Sequence, residues 1–124
     1  MADRWAAESF CYITTTGRRT GKPHTIEIWF GVSNDRVYVL SGGGTRSDWF
    51  KNIRANPQVL THAGGDPDRP ARATVVDDPE EDAMARRLLA AKYQGWREGN
   101  PLGNWASTAL PVRFELDPGT EAQE

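Results

Sequence analysis

The chain has 124 residues and a formal net charge of −2, with 38% hydrophobic and 26% charged residues. This length predicts one domain, residues 1–124, with a modest core. The charge argues against nucleic-acid binding, and no stretch is long and apolar enough to insert into a membrane. One cysteine and two separated histidines exclude an internal disulfide and argue against a metal site. The lone Cys11 and the lack of a recognisable signal peptide favour a cytoplasmic location.

The first predicted strand, residues 10–16, leads into a short basic turn. Two glycines bracket this turn and three cations lie within its six positions: Gly17, Arg18, Arg19, Gly21 and Lys22. Glycines permit close backbone approach, and arginines hold phosphate or carboxylate groups with paired hydrogen bonds. The turn therefore indicates a site for the anionic tail of a ligand. A solvated turn is the alternative interpretation.

The strongest strand pattern follows Pro23 and spans residues 24–32. Alternation places Ile26 on one face and Glu27 on the other. Glu27 is either a ligand contact or an outward polar residue, and His24 is either a phosphate contact or a surface residue. An Asn-Asp turn at 34–35 then predicts an antiparallel hairpin with a strand over residues 36–41.

A glycine loop follows this hairpin and leads into a short helix. The loop reads Ser41-Gly42-Gly43-Gly44, and the helix is predicted to begin after Ser47 and to end at Asn56-Pro57. Free backbone N–H groups at such a junction can hold an anion or a polar heterocycle. Many loops of this kind are only connectors, so the signal is weak by itself.

The remaining chain predicts two more strands, a longer helix and a closing strand. The strands span residues 58–63, 71–76 and 110–116, and the helix runs from Asp77 to about Tyr93. Ala83, Leu88 and Ala91 are expected to be buried on this helix. Residues 95–104 are predicted to form a loop and residues 117–124 a polar tail. This order predicts a small β-barrel with helices over an end or a seam.

Three motifs together resemble the deazaflavin-dependent nitroreductase family: TTTGRRTGKPHT at residues 14–25, SGGG at 41–44 and DWFKNIRANPQV at 48–59. The resemblance covers Tyr12 to about Val76. Members of this family are split β-barrels related to flavin-binding pyridoxamine phosphate oxidases. The resemblance implies a mainly β (α+β) fold, a split β-barrel of about six antiparallel strands with one short and one longer helix.

The same resemblance implies an oxidoreductase that binds reduced coenzyme F-420. Such a protein passes a hydride to a small organic acceptor: a quinone, a nitro compound or an activated alkene. The alternatives are a flavin reductase that binds FMN or FAD on the same fold, and a non-catalytic cofactor-binding protein. The three cations of the basic turn favour F-420, which has a long anionic tail, because the single phosphate of FMN needs only one clamp. A homodimer is the expected assembly.

Family resemblance also implies roles for individual residues. The tail would be held by Arg18, Arg19, Thr20, Gly21 and Lys22. The deazaflavin ring would lie along Pro23, Thr25, Ile26, Glu27, Ile28 and Trp29. The loop Ser41, Gly42, Gly43 and Gly44 would close over the ring or the phosphate, and Trp49 and Asn52 would face the cofactor. Acceptor-contacting positions fall at Tyr93 and Trp96, with Tyr93 either a proton donor or a helix-packing residue.

Overall fold

A computed structural model describes residues 2–117 of the chain. Within them, seven strands form one antiparallel sheet in the order β2-β1-β5-β6-β7-β4-β3. The strands are β1 (Cys11–Thr16), β2 (Pro23–Ile28), β3 (Gly31–Ser33), β4 (Arg36–Ser41), β5 (Gln58–Ala63), β6 (Arg69–Val75) and β7 (Leu110–Leu116). The sheet curls into a half-barrel, which confirms the mainly β, split-barrel fold.

Three α-helices accompany the sheet: α1 (Asp48–Ala55), α2 (Pro79–Gln94) and α3 (Asn104–Thr108). Short 3-10 turns also occur at Ala2–Trp5 and Gly44–Arg46. Helix α2 begins where the Asp78 carboxylate accepts the Glu81 N–H, with Pro79 in the first turn. It ends at Gly95, whose φ of 66° belongs to the left-handed region that favours glycine.

Hydrophobic residues pack on both faces of β4, because this strand lies between the inside of the barrel and α2. Val37 and Val39 face the inner cluster, which α1 closes with Phe50. Tyr38 and Leu40 face an outer cluster that α2 covers. Helix α1 therefore packs one face against the inner cluster, through Phe50 and Ile53, and leaves its other face to line a surface cleft.

The predicted strand over residues 24–32 is in fact two strands, so the sheet has seven strands rather than about six. The ladder breaks at Phe30, whose backbone N–H donates to the Tyr93 hydroxyl at 3.0 Å. Strand β2 pairs with β1, and β3 pairs with β4 at the opposite edge of the sheet. The predicted hairpin with residues 36–41 is therefore limited to Gly31–Ser33.

Two further differences concern the C-terminal half. Helix α3 forms at Asn104–Thr108, where the sequence indicated no helix. The buried residues of α2 are Ala85, Leu89 and Ala90 rather than the expected Ala83, Leu88 and Ala91. Most of the predicted polar tail, residues 118–124, lies outside the described residues.

Candidate functional site

A cleft of about 820 Å³ opens between the basic turn, β2 and α1. This volume lies within the usual range for small-molecule and cofactor sites. Eight residues that the sequence singled out line the cleft: Arg18, Arg19, Thr20, Pro23, Thr25, Ile26, Trp49 and Asn52. Five other residues also line it: Thr15, Gly17, His24, Asp48 and Lys51. Of these, the sequence had indicated Gly17 as part of the basic turn and His24 as a phosphate contact or a surface residue.

Backbone hydrogen bonds hold the basic turn in a fixed shape. The Gly17 N–H donates to the Lys22 carbonyl at 2.8 Å, and the Gly21 N–H donates to the Gly17 carbonyl at 2.8 Å. Gly21 has a φ of 75°, which a residue with a side chain rarely adopts. These two bonds close the turn, so its basic side chains extend from a backbone of fixed shape.

Asn52 is the hydrogen-bonding centre of the cleft floor. Its side chain is 3% exposed, and its Nδ2 group donates to Thr15 Oγ1 at 3.1 Å. Its Oδ1 atom accepts from the Arg18 backbone N–H at 3.2 Å and from Arg18 Nη1 at 2.8 Å. Asn52 thus ties β1 and the basic turn to α1, and its polar atoms are used within the protein.

Positive charge dominates the rim of the cleft. Arg18, Arg19 and Lys51 line it, against the single carboxylate of Asp48. Arg18 also contacts that carboxylate at 3.4 Å, but Asp48 is 87% exposed, so screening makes this ion pair weak. The cleft therefore offers a cationic end to an anionic ligand.

An apolar wall continues from this cationic end. Pro23 and Ile26 of β2 line one side of the cleft, and Trp49 of α1 lines the other. Ile26 and Trp49 are partly buried against the inner hydrophobic cluster, which fixes their positions. One cleft thus combines cations with a flat apolar surface, and this combination suits a ligand with a charged tail and an apolar ring.

The glycine loop does not line the cleft but leads into α1, which does. Ser41 is 1% exposed, and its hydroxyl lies 2.8 Å from the Gly44 carbonyl and 3.2 Å from Ser47 Oγ. A Cβ atom at Gly42 would lie 3.6 Å from Trp105 Nε1. The loop Ser41, Gly42, Gly43 and Gly44 is therefore pinned at its start and packed beside α3.

Five other predicted cofactor contacts do not line the cleft: Gly21, Lys22, Glu27, Ile28 and Trp29. Glu27 lies on the exposed face of β2, where its carboxylate accepts from the Tyr12 hydroxyl at 3.3 Å. Ile28 packs against the inner cluster. Lys22 remains exposed within the basic turn, close enough in sequence to add to the charge of Arg19.

Both candidate acceptor contacts are engaged elsewhere. The Tyr93 hydroxyl lies 2.7 Å from the Ser9 carbonyl and 2.9 Å from the Phe30 carbonyl, and it accepts the Phe30 N–H. Burial raises the pKa of Tyr93, so the phenol keeps its proton at neutral pH. The Trp96 indole N–H donates to the Asn100 carbonyl at 2.7 Å. Neither residue lines the cleft.

Lys51 is the most informative cleft residue that the sequence analysis did not assign. It follows Trp49 by two positions and precedes Asn52 by one. A helix of 3.6 residues per turn places these three side chains on one face, within about 160°. The helical spacing of the DWFKN segment could therefore have indicated Lys51 once Trp49 and Asn52 were expected to face a ligand.

Residues 2–117 contain no group of three or more metal-ligating side chains, and none of their helices has the length and apolarity to cross a membrane.

The sequence of the chain matches the model of one protein family, described as F420H2-dependent quinone reductase, over residues 1–117. The chain belongs to this family. It is therefore an F-420-dependent reductase, and its cofactor is F-420 rather than the FMN considered as an alternative.

Solved structures share the fold at low sequence identity. An F420-H2 dependent reductase (FDR-A) has a TM-score of 0.65 and 21% identity, over 88% of this chain and 94% of that one. HutZ, a heme storage protein from Vibrio cholerae, has a TM-score of 0.69 and 14% identity, over 90% and 83%. A domain-swapped dimer has a TM-score of 0.62 and 23% identity, over 88% and 80%. Since a heme protein shares the fold, the fold alone does not set the ligand.

Proposed function

We propose that this reductase binds F-420 in the cleft between the basic turn and α1 and transfers its hydride to a small organic acceptor. Acceptors of this kind are quinones, nitro compounds and activated alkenes. The observation that carries the proposal is the pairing of three cations with an apolar wall in one cleft of about 820 Å³. When bound, the reduced coenzyme supplies a hydride, and a quinone that takes this hydride and one proton becomes a hydroquinone.

The protein contributes binding and orientation to this reaction. The side chains of Arg19 and Lys51 have no hydrogen-bonding or ion-pair partner among residues 2–117, so a phosphate or carboxylate group can engage them without breaking an existing contact. Arg18 is already held by Asn52 and adds a fixed charge beside them. Pro23, Ile26 and Trp49 give the ring an apolar surface and exclude water from it.

Charge removal at the cleft tests the proposed tail site. Arg19→Gln and Lys51→Gln each remove an exposed charge, worth about 1 kcal/mol or roughly fivefold in Kd. Both variants should keep the stability of the parent protein because neither side chain has a partner to lose. Arg72→Gln is the matched control, since Arg72 is exposed on β6 away from the cleft.

Fluorescence titration with F-420, and with FMN as a competitor, gives the affinities of all three variants. The double variant Arg19→Gln/Lys51→Gln should bind F-420 about 25-fold more weakly if the two charges act independently. It should also show a weaker dependence of Kd on salt. An unchanged F-420 affinity in this double variant would refute the tail site.

We also propose that the protein forms a homodimer through the outer face of β1 and β5. Leu60 is 39% exposed on this face and lies opposite Thr14. One pair further along the same face, the Tyr12 ring stacks on His62, with ring centroids 4.9 Å apart. Exposed apolar strands of this kind commonly pair with a second copy. Light scattering on Leu60→Asp should give the monomer mass while the parent protein gives twice that mass.

A further inference from the structure

One titratable side chain of the cleft, His24, has no part in the proposed binding of the cofactor. It is paired with Thr15 in the β1–β2 ladder, and directly paired residues of antiparallel strands share a face of the sheet. Thr15 is 1% exposed, and its Oγ1 atom accepts from Asn52 at the cleft floor. His24 therefore lies on the cleft face of β2, and it lines the cleft.

The imidazole of His24 packs against the first residue of the basic turn. A Cβ atom at Gly17 would lie 2.7 Å from His24 Nε2 and 2.9 Å from His24 Cδ2, so the ring occupies the space that a side chain at Gly17 would need. Strand β2 is an edge strand of the described sheet, and His24 is exposed on it. One edge of the ring is therefore held by the turn, while the rest is open to solvent or to a ligand.

The charged groups around this imidazole are mostly cations. They are Arg18, Arg19 and Lys22 on the basic turn, and Asp48 and Lys51 on α1. The neighbouring strand β1 presents the uncharged Thr15. The Asp48 carboxylate is 87% exposed and lies 3.4 Å from Arg18, so it is only a weak counter-charge. The His24 side chain has no hydrogen-bonding or ion-pair partner among residues 2–117, so its ring nitrogens are available to an anionic ligand.

Histidine differs from the other basic residues of the cleft in one property, because its charge changes near neutral pH. An unperturbed imidazole takes up a proton between about pH 8 and pH 5, whereas arginine and lysine stay charged throughout this range. An anion beside an imidazole favours the protonated form, which carries a positive charge and two N–H donors. A phosphate or carboxylate bound beside such a ring is therefore held more tightly at lower pH.

We propose that His24 is a proton-dependent binding residue for the phosphate or carboxylate groups of the cofactor tail, so that F-420 binds more tightly as the pH falls from 8 to 6. The inference rests on the proposed function and adds a regulation of that site by pH. The ring takes up a proton from the solvent when the tail binds and returns it when the tail leaves. Oxidised and reduced F-420 carry the same tail, so the effect applies to both.

Fluorescence titration with oxidised F-420 at pH 8 and pH 6 tests this proposal without turnover. His24→Gln keeps a polar side chain without a charge, so it should match the parent within about twofold at pH 8 and bind about fourfold more weakly at pH 6. His24→Lys, which is charged at both pH values, should bind more tightly than the parent at pH 8 and equal it at pH 6. Comparing variants at one pH cancels any titration of the cofactor itself.

The other histidine of the chain provides the matched control. His62 stacks on Tyr12 on the outer face of the sheet and does not line the cleft, so His62→Gln should follow the parent at both pH values. The deazaflavin ring with its ribityl chain, but without phosphate and tail, is the second control. It should bind to the parent and to His24→Gln with equal affinity at each pH.

Calorimetry at pH 7 in two buffers with different heats of ionisation counts the protons taken up on binding. The parent should take up more protons per F-420 than His24→Gln does, a difference that a merely structural role would not produce. An equal pH dependence of the F-420 affinity in the parent and His24→Gln would overturn the proposal. A His24 effect that persists with the tail-free ring would overturn it as well, because it would place His24 at the ring.

The proposed function fails in a different way. Failure of the parent protein to bind F-420 at either pH, or an unchanged affinity of Arg19→Gln/Lys51→Gln, would contradict the tail site itself. A parent protein that binds F-420 through Arg19 and Lys51 with the same pH dependence as His24→Gln would contradict only the role of His24.

Discussion

The Arg18 guanidinium donates to the Asn52 side-chain oxygen at 2.8 Å, and this bond joins the basic turn to helix α1. The backbone N–H of Arg18 donates to the same oxygen, and the Asn52 amide donates to Thr15 on β1. One buried carboxamide therefore connects β1, the basic turn and α1. The shape of the cleft is consequently a property of the free protein, and an incoming ligand need not create it.

Replacement of Asn52 should damage both stability and binding. Asn52→Leu keeps a similar volume but leaves Thr15 Oγ1 and the Arg18 groups without their partner, which costs about 1–3 kcal/mol. Asn52→Asp keeps the acceptor for Arg18 and loses only the donor to Thr15, so it should cost less. Urea denaturation gives the free energy of unfolding, and F-420 titration gives the affinity. Equal stability of Asn52→Leu and the parent would contradict this role.

The contact between Gly31 and α2 predicts a steric effect. Gly31 is buried at the start of β3, and a Cβ atom there would lie 2.7 Å from Leu88 Cγ and 3.3 Å from Leu89 Cδ1. Gly31→Ala should therefore destabilise the protein by about 1–3 kcal/mol through overpacking. Gly65→Ala is the control, because no atom lies within 4 Å of a Cβ atom at that exposed position. Thermal denaturation should give a lower Tm for Gly31→Ala than for the parent protein, and the parent Tm for Gly65→Ala.

Local sequence signals predicted the parts of this structure that depend on local chemistry. The Asn34-Asp35 turn has φ angles of 53° and 61°, the left-handed pair that a two-residue hairpin requires. Asp78 and Pro79 start α2 as capping preferences indicate. The basic turn and the DWFKN segment line one cleft, and their roles toward the cofactor stay a prediction.

Features that depend on distant contacts were not predictable. The break between β2 and β3 requires Tyr93, which bonds to Phe30 from 63 positions away. The buried residues of α2 differ by one or two positions from the predicted ones. Alanines and leucines occur on more than one side of this helix, so the sequence allows several buried faces, and packing against β4 selects one of them. Tertiary contacts also decide that the Arg18 side chain is bonded to Asn52, while the Arg19 side chain has no partner among residues 2–117.

The buried thiol of Cys11 should be inert in the folded protein. Cys11 is 0% exposed, and burial raises its pKa to about 12, against a smaller opposing effect of the Thr61 hydrogen bond and the Lys92 charge. About one thiol in ten thousand is then ionised at pH 8, so a thiol reagent should label it only after unfolding. Labelling at pH 8 with and without guanidinium chloride checks this. Fast labelling of the native protein would contradict the burial of this thiol.

The same pKa fixes how Cys11 affects stability at high pH. Its pKa is raised in the folded state, so the folded protein binds more protons than the unfolded chain above about pH 8.5, the ordinary thiol value. The stabilising contribution of Cys11 to the free energy of unfolding is fully present below that pH and declines as the pH rises toward 12. Cys11→Ala should flatten this part of the stability profile, measured by urea denaturation between pH 8 and pH 10.

Glu81 holds the outer side of the sheet together, and its charge predicts a second pH effect. Its carboxylate accepts from the Tyr38 hydroxyl at 2.6 Å and from Arg113 Nη1 at 2.8 Å, with side-chain exposures of 16% for Glu81 and 21% for Arg113. Burial favours a higher pKa for Glu81, but the hydrogen bonds from Tyr38 and Arg113 and the nearby positive charges outweigh it and lower the pKa.

Because the pKa of Glu81 is lowered on folding, its stabilising effect is present above the unfolded value of about 4.3 and disappears as the pH falls through the folded value. Glu81→Gln should therefore cost about 2 kcal/mol at pH 7 and much less at pH 3. Glu115→Gln is the matched control, since that carboxylate is 42% exposed and its ion pairs are screened. Urea denaturation at both pH values should show a pH-dependent loss for Glu81→Gln and a change within about 0.5 kcal/mol for Glu115→Gln. A loss for Glu81→Gln that is equal at pH 7 and pH 3 would show that packing, and not the carboxylate charge, stabilises this site.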